Sequence, residues 1–168
     1  KEVLDTDPDS KKAFIGFVDG FSTVASNNLA QATQVALKRL KNDKGFFLMV
    51  ESSGTDKNGH RNNMTGKLNS VVTLDRTVAA VLKFMKNNPD TVLVITADHE
   101  TGTITLNDKG EYEFTSDDHS AVDVPLRVYG SEKLIKNNET VNNYEIPIRI
   151  AYILGFTEED FPISEIAA

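Results

Sequence analysis

The sequence has no cysteine and no tryptophan, only three histidines, and fewer basic than acidic residues. Without cysteine there are no disulfides, thiolate zinc sites or cysteine nucleophiles, so a transition-metal site must use imidazole and carboxylate ligands. The 18 Lys and Arg residues against 25 Asp and Glu residues argue against a nucleic-acid binder, which needs a basic patch. No apolar run reaches the roughly 18 residues of a transmembrane helix. The charged residues 1–5 predict no signal peptide in this chain.

Apolar residues are nonetheless sufficient for a core, at 39% of a 168-residue chain, and the length predicts one domain. Helical periodicity predicts helices at about 29–41, 65–88 and 144–154. Asn28 and Gln31 resemble a capping box at the start of the first helix. The expected apolar face of the second helix, which Asp75 interrupts, consists of Leu68, Val71, Val72, Val78, Leu82 and Met85.

Two continuous apolar runs, residues 46–50 and 91–97, are typical of strands buried on both faces. A further strand is predicted at 124–129 and a hairpin over 103–115. Helical crossovers between buried strands predict an α/β fold with a mainly parallel sheet and helices on both faces. Residues 1–12 are polar and predict a loose lead-in to this domain.

The three histidines all lie in loops beside predicted strands. Any one of them, considered alone, is more simply a surface or hydrogen-bonded residue. Ligands collect at the carboxyl ends of strands in open α/β sheets, and imidazoles with carboxylates suit Zn²⁺ or, for oxygen ligands, Mg²⁺. The candidate ligands at this edge are Glu51, Asp56, His60, Asp98, His99 and His119. From spacing alone, a metal site and ordinary surface roles remain open alternatives.

Three segments resemble the metal loops of the alkaline phosphatases, in the order in which that family carries them. They read MVESSGTDKNGH at 49–60, TADHETG at 96–102 and HSAVDVP at 119–125. The resemblance extends over about residues 27–155. It implies an alkaline-phosphatase-like α/β fold, of which residues 1–168 would form a single, partial domain.

The resemblance also implies roles for individual residues. Asp56, His60 and His119 would hold a first zinc, Asp98 and His99 a second zinc, and Glu51 a magnesium ion. Lys57 stands where some family members reach the phosphate through water, although a solvated surface lysine is an equal alternative. A complete site would hold two Zn²⁺ and one Mg²⁺. It would cleave phosphate monoesters by in-line phosphoryl transfer through a phosphoserine.

The nucleophilic half of such a site has no match in this chain. The family serine lies in an Asp-Ser-Ala motif, whereas the only Asp-Ser pair here is Asp9-Ser10, which runs into two lysines. The chain is therefore expected to be the C-terminal, metal-binding part of a phosphomonoesterase, inactive without its N-terminal part. The resemblance further implies a periplasmic, cell-surface or secreted location and allows a homodimer. The alternatives are another two-metal hydrolase, such as a phosphodiesterase or sulfatase relative, and a noncatalytic metal-binding module.

Overall fold

A computed structural model describes residues 25–130, 139–157 and 159–160. The described residues form two compact units: unit 1 contains residues 25–89 and 101–118, and unit 2 contains residues 90–100, 119–130, 139–157 and 159–160. The predicted lead-in at 1–12 lies outside the described residues, and the single-domain expectation stays a prediction. The elements in chain order are α1 (Asn28–Leu40), α2 (Gly54–Gly59), α3 (Met64–Met85), β1 (Leu93–Ile95), β2 (Glu100–Thr101), β3 (Ile104–Leu106), β4 (Tyr112–Phe114), β5 (His119–Ser120), β6 (Val124–Tyr129), β7 (Glu139–Val141) and α4 (Glu145–Ile153).

Helix α1 confirms the first predicted helix, but its start differs from the expected capping box. The N-cap is Asn27, and no side chain caps the helix there. The backbone N–H of Gln31 instead donates to the carbonyl of Asn27 over 2.9 Å. The buried face of α1 carries small and aliphatic residues, which suits close packing against α3. These buried residues are Ala30, Thr33, Ala36 and Leu37.

Helix α3 forms over the predicted range, yet a different face of it is buried. The expected apolar face was wrong in part, because Leu68, Val71 and Val72 are 58%, 49% and 42% exposed. The buried residues are small and again have helical spacing: Gly66, Ser70, Thr77 and Ala80. Small side chains allow α1 and α2, which both pack on α3, to approach its backbone.

The predicted strand at 46–50 is wrong for the described residues, where this segment forms no strand. Exposure alternates along it, and Phe47 and Met49 are 62% and 77% exposed. A strand needs backbone partners on a neighbouring strand, and no described strand pairs with these residues. Apolar character alone therefore does not produce the strand.

Unit 2 is built on a three-stranded sheet in the order β1-β6-β7. Its core is an apolar cluster of Val124, Leu126, Val128, Val141 and Ile146, the last of which comes from α4. Arg149 of α4 adds hydrogen bonds to the carboxylates of Glu139 and Glu145, so this helix is also tied to β7.

The predicted class, a fold of mixed helices and strands, is confirmed, but the strand pairing differs from expectation. The ladders β1–β6, β6–β7 and β3–β4 are all antiparallel. The parallel arrangement required a crossover from a strand at 46–50 to one at 91–97, and the first of these does not form. The second is the short β1, whose residues are half-buried rather than buried on both faces.

The predicted hairpin and final helix are confirmed. Strands β3 and β4 pair with Ile104 opposite Phe114, around a turn at Asn107 whose side-chain Oδ1 accepts from the N–H of Glu111 over 2.9 Å. Helix α4 has Pro147 in its first turn, where a missing N–H costs least. In the described part of the chain, no helix is both long and apolar enough to cross a membrane.

Candidate metal-ligand groups

Unit 1 brings together Asp56 and His60. Asp56 lies in α2 and His60 is the C-cap four residues later, so both side chains share one face. The Nε2 atom of His60 is 3.3 Å from Oδ1 of Asp56, and these side chains are 38% and 35% exposed. Both are accessible enough to receive an ion.

Hydrogen bonds orient both members of this pair. Nδ1 of His60 is 2.6 Å from the carbonyl oxygen of Asp117. A carbonyl only accepts, so Nδ1 carries a proton, and Nε2 is the ring nitrogen that faces the carboxylate of Asp56. The hydroxyl of Thr101 donates to Oδ1 of Asp56 over 2.7 Å, and Nζ of Lys67 donates to the carbonyl of Thr101 over 2.5 Å. A metal-binding imidazole is commonly held through its other nitrogen in this way.

Gly59 allows Thr101 to come this close to α2. A Cβ at position 59 would lie 2.9 Å from Cγ2 of Thr101, closer than carbon atoms normally pack. Glycine therefore provides the space in which the threonine hydroxyl reaches Asp56.

Unit 2 brings together Asp98, His99 and His119. Nε2 of His99 is 3.3 Å from Oδ2 of Asp98, and these side chains are 25% and 87% exposed. The rings of His99 and His119 stack with centroids 3.5 Å apart and planes inclined by 22°. The stack brings two imidazoles, each a possible metal ligand, to within a few ångströms of each other. The amide of Asn143 donates to the carbonyl of Asp98 over 2.7 Å and anchors this loop.

The spacing within both carboxylate–imidazole pairs fits a shared cation. Zinc holds nitrogen and oxygen ligands at about 2.0–2.2 Å, so two such ligands at a tetrahedral angle stand roughly 3.3–3.6 Å apart. The observed separation is 3.3 Å in each pair. Each unit therefore offers carboxylate and imidazole ligand atoms of its own. The donor set is therefore chemically suited to zinc.

Glu51 and Lys57 lie in unit 1 and are both exposed. Glu51 borders a small cavity of about 40 Å³, together with Ser26, Ser52 and Thr73. A carboxylate and hydroxyl groups around a space of that size are hard oxygen ligands, which Mg²⁺ prefers. The assignment of Glu51 to magnesium and of Lys57 to phosphate binding stays a prediction.

Sequence reasoning missed the residues that contact the candidate ligands or their immediate neighbours. Thr101 and Glu100 stand inside the quoted TADHETG segment, and Ser120 follows His119, so their positions beside ligands were the available signal. Asn143 carries no such signal, because it reaches Asp98 from 45 residues along the chain.

Comparison with known proteins points to one family. The alkaline phosphatase family model matches residues 22–121. The chain is 37% identical to alkaline phosphatase 3 of Bacillus subtilis over 91 aligned residues. This alignment covers 54% of this chain and 20% of that protein. It is 44% identical to the alkaline phosphatase of Escherichia coli over 72 aligned residues. This alignment covers 42% of this chain and 15% of that protein. The chain thus spans a fifth or less of either relative.

A solved structure gives the same result. The alkaline phosphatase of the Antarctic bacterium TAB5 superposes with a TM-score of 0.63 at 27% identity, over 78% of this chain and 42% of that one. The match supports a likeness in fold over most of the chain and less than half of the other protein.

Proposed function

This chain belongs to the alkaline phosphatase family, and on that premise we propose that it is the C-terminal, metal-binding part of a phosphate monoester hydrolase. Asp56, His60 and His119 hold the first Zn²⁺, Asp98 and His99 hold the second, and Glu51 holds Mg²⁺. When bound, the two zinc ions supply charge stabilisation for the attacking and leaving oxygens of phosphoryl transfer. The observation that carries the proposal is the 3.3 Å spacing within each carboxylate–imidazole pair.

The chain's own residues present and orient these ligands. The carbonyl of Asp117 fixes the His60 tautomer so that Nε2 is the ligand atom. The Thr101 hydroxyl holds one oxygen of Asp56 in place. Lys57, whose side chain is exposed, binds the substrate phosphate through water. A solvated lysine without that role remains the alternative for this residue.

Turnover requires a part of the protein beyond this sequence. No Asp-Ser-Ala nucleophile motif occurs in the chain, so the serine and the arginine that clamps phosphate come from the N-terminal part. The exposure of Phe47 and Met49, at 62% and 77%, supports such a missing part, because it would provide the neighbouring strands for this apolar segment. Family resemblance also favours an exported protein and a homodimer.

Zinc titration of the metal-free chain tests this function. Calorimetry should show one zinc bound most strongly, at the site with three protein ligands, and an aryl phosphate should not be hydrolysed. Asp56→Asn should weaken that binding at least tenfold, whereas Asp108→Asn, the same change at an exposed hairpin aspartate, should not. Equal zinc binding by both variants would refute the ligand assignment. Robust hydrolysis by the chain alone would refute the missing nucleophile.

A further inference from the structure

One hydrogen bond in unit 2 joins the neighbours of the two stacked imidazoles. The hydroxyl of Ser120 donates to Oε2 of Glu100 over 2.6 Å. Glu100 directly follows His99, and Ser120 directly follows His119. Because each partner is bonded to a histidine through one peptide unit, this short link constrains how far apart the two imidazoles can stand. The rings themselves lie 3.5 Å apart.

Glu100 has a feature that fold stability does not explain. Its second carboxylate oxygen, Oε1, is buried and accepts no hydrogen bond from the described residues. A buried carboxylate oxygen without a partner loses its hydration without compensation, so it destabilises the fold. A neutral side chain of the same shape, such as glutamine, would avoid the cost of burying a charge. A glutamate at this position therefore suggests a role other than stability.

We infer that Glu100 and Ser120 form a positioning pair that sets the separation of the His99 and His119 imidazoles and, through it, the affinity of the chain for zinc. The positioning itself is a property of unit 2, and its effect on zinc rests on the proposed function. The carboxylate charge adds a favourable field for the two divalent ions that these histidines would hold, His119 at the first zinc and His99 at the second, while the Ser120 link fixes the spacing of the two rings. Neither residue contacts the ion in this role.

The zinc arm of the test compares four variants by calorimetric titration of the chain. Ser120→Ala and Glu100→Ala should each weaken zinc binding roughly 10-fold to 100-fold, the usual effect of losing a group that orients a metal ligand. Ser120→Thr, which keeps the hydroxyl, should restore binding to within about threefold of the parent chain. Glu159→Gln, at an exposed glutamate of unit 2, is the matched charge control and should have no effect.

Stability separates positioning from a merely structural role. Glu100→Gln keeps an oxygen that can accept from Ser120 but removes the buried charge. It should leave the thermal midpoint unchanged or raise it, while zinc binding weakens. A lower midpoint accompanied by unchanged zinc binding would overturn the inference, because Glu100 would then serve only the fold.

A metal-free measurement keeps the inference separate from the proposed function. In the metal-free parent chain, nuclear Overhauser contacts should connect the ring protons of His99 and His119. These contacts should disappear in Ser120→Ala and return in Ser120→Thr. If they persist in Ser120→Ala, the positioning pair is refuted whatever zinc does. If they disappear but the parent chain binds no zinc, the positioning stands and the proposed metal function fails.

Discussion

Replacing Gly66 with alanine has two opposite effects on the free energy of unfolding: higher helix propensity stabilises the fold and tighter packing destabilises it. The space around Gly66 indicates that the packing effect is larger. Gly66 lies in the first turn of α3, where its N–H donates to Oδ1 of the N-cap Asn63 over 3.0 Å. Beside it is the fully buried Asn58 of α2, whose amide donates to the carbonyl of Gly54 over 2.8 Å and to the hydroxyl of Ser70 over 3.3 Å. This network joins the helix that carries the proposed aspartate ligand to α3.

The magnitude follows from the space around Gly66. A Cβ there would lie 2.1 Å from Oδ1 and 2.6 Å from Cγ of Asn58, and 2.8 Å from Nδ2 of Asn63. Alanine gains about 1 kcal/mol over glycine in helix propensity. Against this, overpacking costs about 1–3 kcal/mol and disrupted bonds of a buried amide cost about 1–3 kcal/mol. The expected net loss of unfolding free energy is therefore about 1–5 kcal/mol, with a central value near 3 kcal/mol.

Urea unfolding followed by far-ultraviolet circular dichroism measures this loss. Thr65→Ala, at the exposed neighbouring position of the same helix, is the control and should change the unfolding free energy by less than about 0.5 kcal/mol. If Gly66→Ala were as stable as the parent chain or more stable, propensity would outweigh packing. The close contact with Asn58 would then be refuted.

Three further changes test other parts of the structure. Thr101→Val removes the hydroxyl that donates to Asp56. It should lower the unfolding free energy by about 1–2 kcal/mol and weaken zinc binding about tenfold. Unchanged zinc affinity by calorimetry would contradict the proposed role of this hydroxyl. Met49→Gln, at a side chain that is 77% exposed, should change urea stability by less than about 0.5 kcal/mol, and a larger loss would mean that this residue is buried. The backbone N–H and then the hydroxyl of Thr157 donate to Asp160 and lower the pKa of its carboxyl. A depressed folded-state pKa means that this contact stabilises the fold above the ordinary aspartate pKa and is lost as the pH falls through the folded value. A carbon-detected titration of Asp160 should therefore show a lower midpoint in the parent chain than in Thr157→Ala, and equal midpoints would contradict it.

The helices were predictable because their signals are local. Helix α1 follows from apolar spacing that neighbouring residues already define, and α4 follows from Pro147 in its first turn and Gly155 after its end. Which face of α3 is buried was not predictable in the same way. Leu68 and Val71 are exposed while Gly66 and Ser70 are buried, because close helix packing favoured the small face over the apolar one.

The strands were harder to predict than the helices because their pairing partners can be distant in sequence. The run at 46–50 has the composition of a buried strand, but a strand also depends on backbone partners from distant parts of the sequence, and composition does not supply them. The hairpin at 103–115 was predictable because its partner is the next segment along the chain and the turn residues join the two. Parallel pairing was predicted from two strands that are distant in sequence. That prediction was wrong because the first of them, at 46–50, does not form.

For the candidate site, the closeness of each carboxylate to its imidazole was predictable, whereas the groups that contact these pairs were not, and the role of the pairs as metal ligands stays a prediction. The two carboxylate–imidazole pairs come from positions i,i+4 in a helix turn and i,i+1 in a loop, so local backbone geometry alone brings each pair together. Thr101, Asp117 and Asn143 act from distant parts of the sequence, and only the fold places them beside Asp56, His60 and Asp98.

Zinc binding by this chain should depend on both the local carboxylate–imidazole pairs and the long-range contacts. A pair formed within one turn requires little of the tertiary fold, so its carboxylate and imidazole can lie side by side without long-range contacts. Two ligands are short of the four that zinc usually takes, and the remaining ones must come from longer-range contacts or water. Binding energy gained from the longer-range ligands is also folding energy, because those ligands can reach the ion only in the folded chain. Zinc should therefore raise the thermal midpoint of this chain, and the increase should be larger when more protein ligands bind the ion. Asp56→Asn should reduce this increase even if the thermal midpoint of the metal-free chain is unchanged.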